Sequence, residues 1–255
     1  MLDPILLELL QTRLTSVVRE MRSIMIRTAY SPMIHEGHDF SCAVLSKTGD
    51  LVVASEVEQP THISALPWAA RSVIARYGAD IGPGDQFLHN DPYSGGAHLN
   101  DVALYFPVFH NNIQIALLGI MAHWQDIGGM VPGSLSGTAT EIYQEGVRIP
   151  GIRITRRGKP ILEATDLLFA NVRQPDERRG DLRLQPRLEG GQQVQLLVVD
   201  AVGAGFLHVP AQPLVEYQAA QVARGGLKIF DAFVYLRNTT VSQSHTIMFA
   251  SSNEK

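Results

Sequence analysis

Two apolar runs, "VALYFPVF" (102–109) and "IQIALLGIMAH" (113–123), joined through "HNN", restrict this chain's folding more than any other feature. Runs this apolar, without polar alternation, read as strands whose sheet is covered on both faces. Asn tolerates positive φ, so Asn111-Asn112 can form a tight primed turn, making the two runs an antiparallel hairpin. The rest of the chain must then cover that hairpin.

Amphipathic helices are available for this. Residues 2 to 27 carry Leu6, Leu9, Leu10, Leu14, Val17, Val18, Met21, Ile24 and Met25 at helical spacing, with Asp3 to cap the helix and Pro4 in its first turn. Ser64 to Tyr77 reads as a second helix, with Trp68, Ala69, Val73 and Ile74 on one side and Gly78 just past its end. "FSCAVL" and "DLVVAS" flank "SKTG" as a second hairpin. "DLLFANVRQPDERRGDL" starts as a helix capped by Asp166 and is interrupted by Pro175, and "GGMVPGSLSGTATEIYQEGVRIPG" reads as a long Gly- and Pro-rich loop of the kind that carries function. The expected class is α+β, a long N-terminal helix on a mixed, largely buried sheet with Gly/Pro-rich active-site loops. Beyond about residue 200 the pattern weakens, which divides the chain into 1–200 and 201–255.

Composition excludes several functions. With 45% hydrophobic and 18% charged residues, 255 residues bury a sizeable core. The net charge of −4, with basic residues scattered except in "RITRRGK", leaves no footprint for nucleic acid. No apolar run approaches the roughly 20 residues of a membrane span. "MLDPILLELLQTRL" lacks the pattern of an export signal, and Cys42, the single cysteine, has no internal disulfide partner. A cytoplasmic location is expected.

The chemistry concentrates in "HNDPYSGGAHLND" (89–101) and in His123. With a two-residue loop at Asn111-Asn112, His110 pairs with Ile113 and His123 falls opposite Asn100. His98 is then a diagonal neighbour of His123, at a Cα separation of roughly 7–8 Å, and the two imidazoles can share an ion. Asp101 has the wrong parity and joins them only if the chain leaves extended geometry, which Gly95-Gly96 upstream permits. Two imidazoles with one or two carboxylates suit Zn, Mn or Fe at an open, catalytic site. The same spacing also fits a plainer reading, in which His98 caps a turn, Asp101 opens a strand by bonding backbone amides, and His123 is a satisfied core histidine. His62, His35 and His38 are weaker ligand candidates. The sequence holds no G-x-S-x-G elbow and no G-x-x-x-x-G-K-[ST] loop, and "GAGFLH" lacks the third glycine of a dinucleotide fingerprint.

"NDPYSGGAHLNDVALYFPVF", "AHWQDIGGMVPGS" and "EIYQEGVRIPG" resemble the hydantoinase B/oxoprolinase family, supported by "IRTAYSPMIHEGHDFSCAVLSKTGDLVV", "HISALP" and "DLLFANVRQPDERRGDL". The resemblance runs to about residue 195, where the chain then reads as truncated or divergent. It implies a B-type subunit of an ATP-dependent hydrolase of cyclic amides such as hydantoins, 5-oxoproline and lactams. A separate A-type subunit would bind ATP and phosphorylate the substrate carbonyl, in a hetero-oligomer. The implied metal ligands are Asp39, His98, Asp101 and His123, holding Zn or Mn. Asp101 or Glu145 is the implied proton acceptor, Glu141 and Arg148 are implied to meet substrate, and Asp91 is implied to fix a loop. Alternatives are the metal subunit of an ATP-dependent ketone carboxylase, or a catalytically silent fragment.

Overall fold

A computed structural model describes residues 4–184; the boundary expected near residue 200 lies outside them. The helices are α1 (Pro4–Thr28), α2 (Pro32–His35), α3 (Pro60–Tyr77), α4 (Leu162–Ala170) and α5 (Pro175–Leu184). The strands are β1 (Phe40–Leu45), β2 (Leu51–Ala54), β3 (Gln86–His89), β4 (Asp101–His110), β5 (Ile113–His123), β6 (Ile152–Arg156) and β7 (Lys159–Pro160). They form one seven-stranded sheet in the order β2-β1-β5-β4-β3-β6-β7. The α+β class and the two covered faces hold, but the sheet expected to be mixed is antiparallel at every pairing. Its successive strands are linked by hairpins and longer connections rather than by the right-handed crossovers that parallel strands need.

Alternation along the strands divides the core in two. Phe40, Cys42, Val44, Val102, Leu104, Leu118 and Ile120 face α1, whose buried stripe is Leu7, Leu10, Leu14, Val17, Val18, Met21 and Met25. Leu9, expected in that stripe, is 48% exposed. Ala43, Leu45, Ala103, Tyr105, Leu117 and Met121 face α3, which covers them with Ile63, Leu66, Ala69, Ala70 and Val73. Trp68, assigned from sequence to α3's inner side, is 45% exposed. Among the described residues no helix is long and apolar enough to cross a membrane.

Three expected boundaries move. α3 starts four residues before Ser64, with Pro60 in its first turn, where the missing N–H has no intrahelical partner to lose. α4 begins at Leu162 rather than at a cap on Asp166, and Pro175 opens α5. The third change matters most. Asn111 (φ 49°) and Asn112 (φ 63°) form the expected tight turn, and His110 pairs with Ile113. A bulge between Val108 and Phe109 then advances β5 by one residue, so that Val108 pairs with Ala116 and Asp101 with His123. Because strand side chains alternate faces, this single extra residue moves Asp101 onto the face of His123.

A candidate metal centre at the end of three strands

β5 lies between β1 and β4, and its last residue, His123, is flanked on both sides. The His123 amide donates to the carbonyl of Asp39 (3.0 Å), one residue before β1, while Asp101 at the head of β4 is its cross-strand partner. Asp39, His123 and Asp101 therefore form a row at one level of three neighbouring strands. The row lies on the α3 face, and the first turn of α3 brings His62 against it from the other layer.

The side chains converge on Asp101. Its Oδ1 accepts from His123 Nδ1 (2.9 Å) and lies 3.4 Å from His62 Nε2. Its Oδ2 accepts from the His98 amide (3.1 Å) and from His98 Nδ1 (2.9 Å). Asp39 stands slightly farther off, with Oδ2 at 3.9 Å from His123 Nδ1 and Oδ1 at 3.8 Å from His62 Nε2. The Asp101 side chain is 1% exposed and those of His62 and His123 are 3% and 12%, whereas that of His98 is 70% exposed. Burial by itself would raise the Asp101 pKa, but hydrogen bonds from His123, His62 and the His98 amide outweigh it and hold the carboxyl below the usual range. Asp101 thus anchors the imidazoles as a carboxylate.

The loop residues explain how His98 arrives. Asp101 N donates to the His98 carbonyl (3.0 Å), which closes a tight turn directly ahead of β4. Asn90 donates to the carbonyls of Leu99 (2.7 Å) and Val147 (2.9 Å), and Asn100 donates to that of Trp124 (2.8 Å). Gly95 (φ 104°) runs so close to α3 that a Cβ there would sit 2.6 Å from the Trp68 backbone. Gly95 is therefore required for the loop to lie against the helix, and Gly96 for it to fold back onto the Asn90–Asp91 backbone.

The other expected site residues have different surroundings. Arg148 makes a two-point ion pair with Asp91 (3.2 and 3.0 Å) and stacks over Tyr93, 4.9 Å from its ring centre. Asp91 also accepts from the Tyr93 amide (3.1 Å), so Asp91 and Arg148 together fix the loop that precedes His98. Burial opposes the charge on Asp91, yet the guanidinium and that amide hold its pKa below the usual value. Glu141 heads a short 3-10 turn, Ile142–Gln144, its amide donating to Gln144 Oε1 (3.3 Å). Glu145 is exposed in the same loop and is not drawn into the histidine cluster. That loop is held near the cluster: Asp126 accepts from the amides of Gly128 (2.8 Å), Gly133 (2.9 Å) and Arg173 (3.2 Å), while Asn100 reaches the Gly133 carbonyl (3.4 Å). His35 and His38 stay outside the cluster.

His62 is the residue that sequence reasoning ranked too low. A helix thought to begin at Ser64 left it in a loop, although "QPTHIS" carried the signal, since a proline in that position commonly marks a first helical turn.

Donor chemistry of two or three imidazoles and two carboxylates, with no thiolate, fits a divalent zinc or manganese ion. Ligands of one tetrahedral ion with bonds of about 2.0–2.1 Å stand roughly 3.3 Å apart. The N···O separations of 2.9 to 3.9 Å bracket that spacing. As they stand, the imidazoles are hydrogen-bonded to Asp101. Among the described residues no group of three or more His, Cys, Asp or Glu side chains is already gathered around one point. Loading an ion therefore requires the imidazole protons to leave and the rings to adjust.

Comparison with known proteins gives this arrangement a lineage. The model of the hydantoinase B/oxoprolinase family matches residues 3–222, past the residue 195 or so to which the quoted motifs extend. The 5-oxoprolinase of Dictyostelium discoideum is 33% identical over 214 residues, covering 82% of this chain and 17% of that protein. The caprolactamase beta subunit of Pseudomonas jessenii is 32% identical over 183 residues, covering 72% of this chain and 31% of that protein. This chain thus spans less than a third of either relative. The crystal structure of the ATP-dependent caprolactamase from Pseudomonas jessenii superposes with a TM-score of 0.78 at 27% identity, over 88% of this chain and 38% of that one. Nucleotide-free acetone carboxylase shares the fold at a TM-score of 0.72 and 22% identity, over 80% of this chain and 27% of that one. On the extent of the family match, this chain belongs to the hydantoinase B/oxoprolinase family.

Proposed function

We propose that this chain carries the metal centre of an ATP-dependent cyclic amide hydrolase, held by Asp39, His98, Asp101 and His123 and working with a separate A-type subunit that binds ATP. The observation that carries the reading is the row Asp39, His123 and Asp101 on three adjacent strands, with His98 turned back onto Asp101. Further support comes from the names of the relatives: the caprolactamase protein and a putative D-/L-hydantoinase protein are each named as one subunit, and so as part of a larger assembly. ATP is assigned to the partner because this sequence lacks a phosphate-binding glycine loop. The likeness to acetone carboxylase is one of fold and brings no substrate with it.

A bound zinc or manganese ion would supply Lewis acidity toward the amide carbonyl and its attacking water. The chain's own residues set the conditions for that. Asp101 remains ionised and holds the rings of His98 and His123 on its two oxygens. His98, the exposed member, is the ring of this cluster that an incoming substrate can reach. Arg148, paired with Asp91, fixes the loop that precedes His98, and its partly exposed guanidinium keeps the substrate contact expected for it within reach. Of the two carboxylates considered for proton transfer, Asp101 is engaged by imidazoles, while Glu145 is exposed on the loop that follows β5, so the proton-acceptor role is assigned to Glu145.

The test is elemental analysis of the purified chain beside His98→Ala, His123→Ala and Asp101→Asn, followed by ATP-dependent ring opening of a hydantoin, 5-oxoproline or a lactam with the A-type partner added. Near-stoichiometric zinc or manganese in the wild type, largely lost in all three variants, is expected, together with loss of ring opening. Equal metal content in all four proteins would sink the proposal.

A further inference from the structure

His62 belongs to none of the roles assigned so far, yet it is the most buried imidazole of the cluster, with 3% of its side chain exposed. Its two nitrogens meet different partners. Nδ1 lies 3.4 Å from Ser41 Oγ, which accepts the Gln59 amide (2.9 Å) and whose one hydroxyl proton also has the Glu58 carboxylate within reach. Nε2 faces two carboxylates, at 3.4 Å from Asp101 Oδ1 and 3.8 Å from Asp39 Oδ1. A ring nitrogen presenting its lone pair to two carboxylate oxygens in a dry site would be repelled by both, whereas an N–H there satisfies them.

We infer that His62 is a positioning residue that bridges Asp39 and Asp101 through Nε2–H and fixes the spacing of these two carboxylates across β5. Ser41 lies in β1 two residues after Asp39, so its side chain points to the same face, and Gln59 is the residue before α3. The helix start, the strand and the two carboxylates thereby meet around one imidazole. Partners that orient metal-binding carboxylates in this way typically change metal affinity by about 10–100-fold when removed.

The part concerning the ion rests on the proposed function; the part concerning the tautomer does not. Long-range proton–nitrogen NMR spectra of the full chain, first without metal and then with zinc, report which nitrogen of His62 is protonated. A proton on Nε2 in both states is expected, and a proton on Nδ1 in either state would overturn the inference, the zinc-loaded case making His62 a ligand instead. Zinc affinity measured by chelator competition should fall about 10–100-fold in His62→Ala and by less in Ser41→Ala. It should recover in part in His62→Gln, whose amide N–H can reach the same oxygens. Unchanged affinity in His62→Ala, or a His62→Gln protein no better than His62→Ala, would overturn it. If His62→Ala does not fold, the comparison of His62→Gln with wild type decides: a fall of no more than about tenfold supports the bridge. A wild-type chain that takes up no zinc would defeat the proposed function, while the zinc-free spectrum would still decide the state of His62.

Discussion

His89 shows how burial at a single residue becomes a property of the whole protein. It is fully buried on β3, Nε2 meets Ser94 Oγ (2.9 Å), and Nδ1 has no hydrogen-bond partner among the described residues. Burial pulls its pKa down from 6.5 to about 4, with the nearby charge of Asp91 opposing the shift. Between these values the unfolded chain binds a proton that the folded chain does not, so stability falls as pH is lowered through the window. The full effect is about 3 kcal/mol. Urea unfolding from pH 7 to pH 4 should show this loss, and His89→Gln should have a flatter profile; identical profiles would show that His89 does not titrate in this way. Gly95 is the second residue-scale case. Gly95→Ala places a Cβ against the backbone of α3 at a φ of 104°, and should lower stability by about 2 kcal/mol or more in urea melts.

At the scale of elements, the β4–β5 hairpin governs the site through its turn and its bulge. Both turn residues have left-handed backbone, which side chains branched at Cβ resist by roughly 1–2 kcal/mol. Asn111→Val should therefore lower the unfolding free energy by about that amount, while Asn112→Gly leaves it equal or higher. A denaturation midpoint unchanged in Asn111→Val would contradict the assigned turn. The turn was legible because Asn-Asn between two apolar runs has few other uses. The bulge beside Phe109 was not legible. It leaves no composition signal, and the alternation that would locate it is hidden because both faces of these strands are apolar. The sequence therefore places His123 opposite Asn100 and gives Asp101 the wrong parity, although the three side chains it singles out, His98, Asp101 and His123, do lie together in the structure.

For the whole molecule, helices cover the sheet on both faces, and α3 packs onto β5 at Gly119. A Cβ on Gly119 would lie 3.2 Å from Leu66, 3.3 Å from Tyr105 and 3.4 Å from Leu45, so the glycine lets α3 settle onto the sheet. Gly119→Val should cost about 1–3 kcal/mol through overpacking. By lifting α3 it should also draw His62 away from Asp39 and Asp101, and so weaken zinc retention in a chelator competition. Lost stability with zinc retention unchanged would show that the helix layer and the proposed metal centre are independent. The two hairpins, their covered faces, the long first helix and the grouping of Asp101, His98 and His123 were legible in the sequence alone, since buried apolar runs and clustered polar side chains are local properties. Tertiary structure decided the antiparallel pairing throughout, the shift that makes Asp101 and His123 partners, the pairing of Arg148 with Asp91, and the arrival of His62. Each of these depends on which distant segment lies alongside, and that is settled by packing between layers rather than by the residues of any one segment.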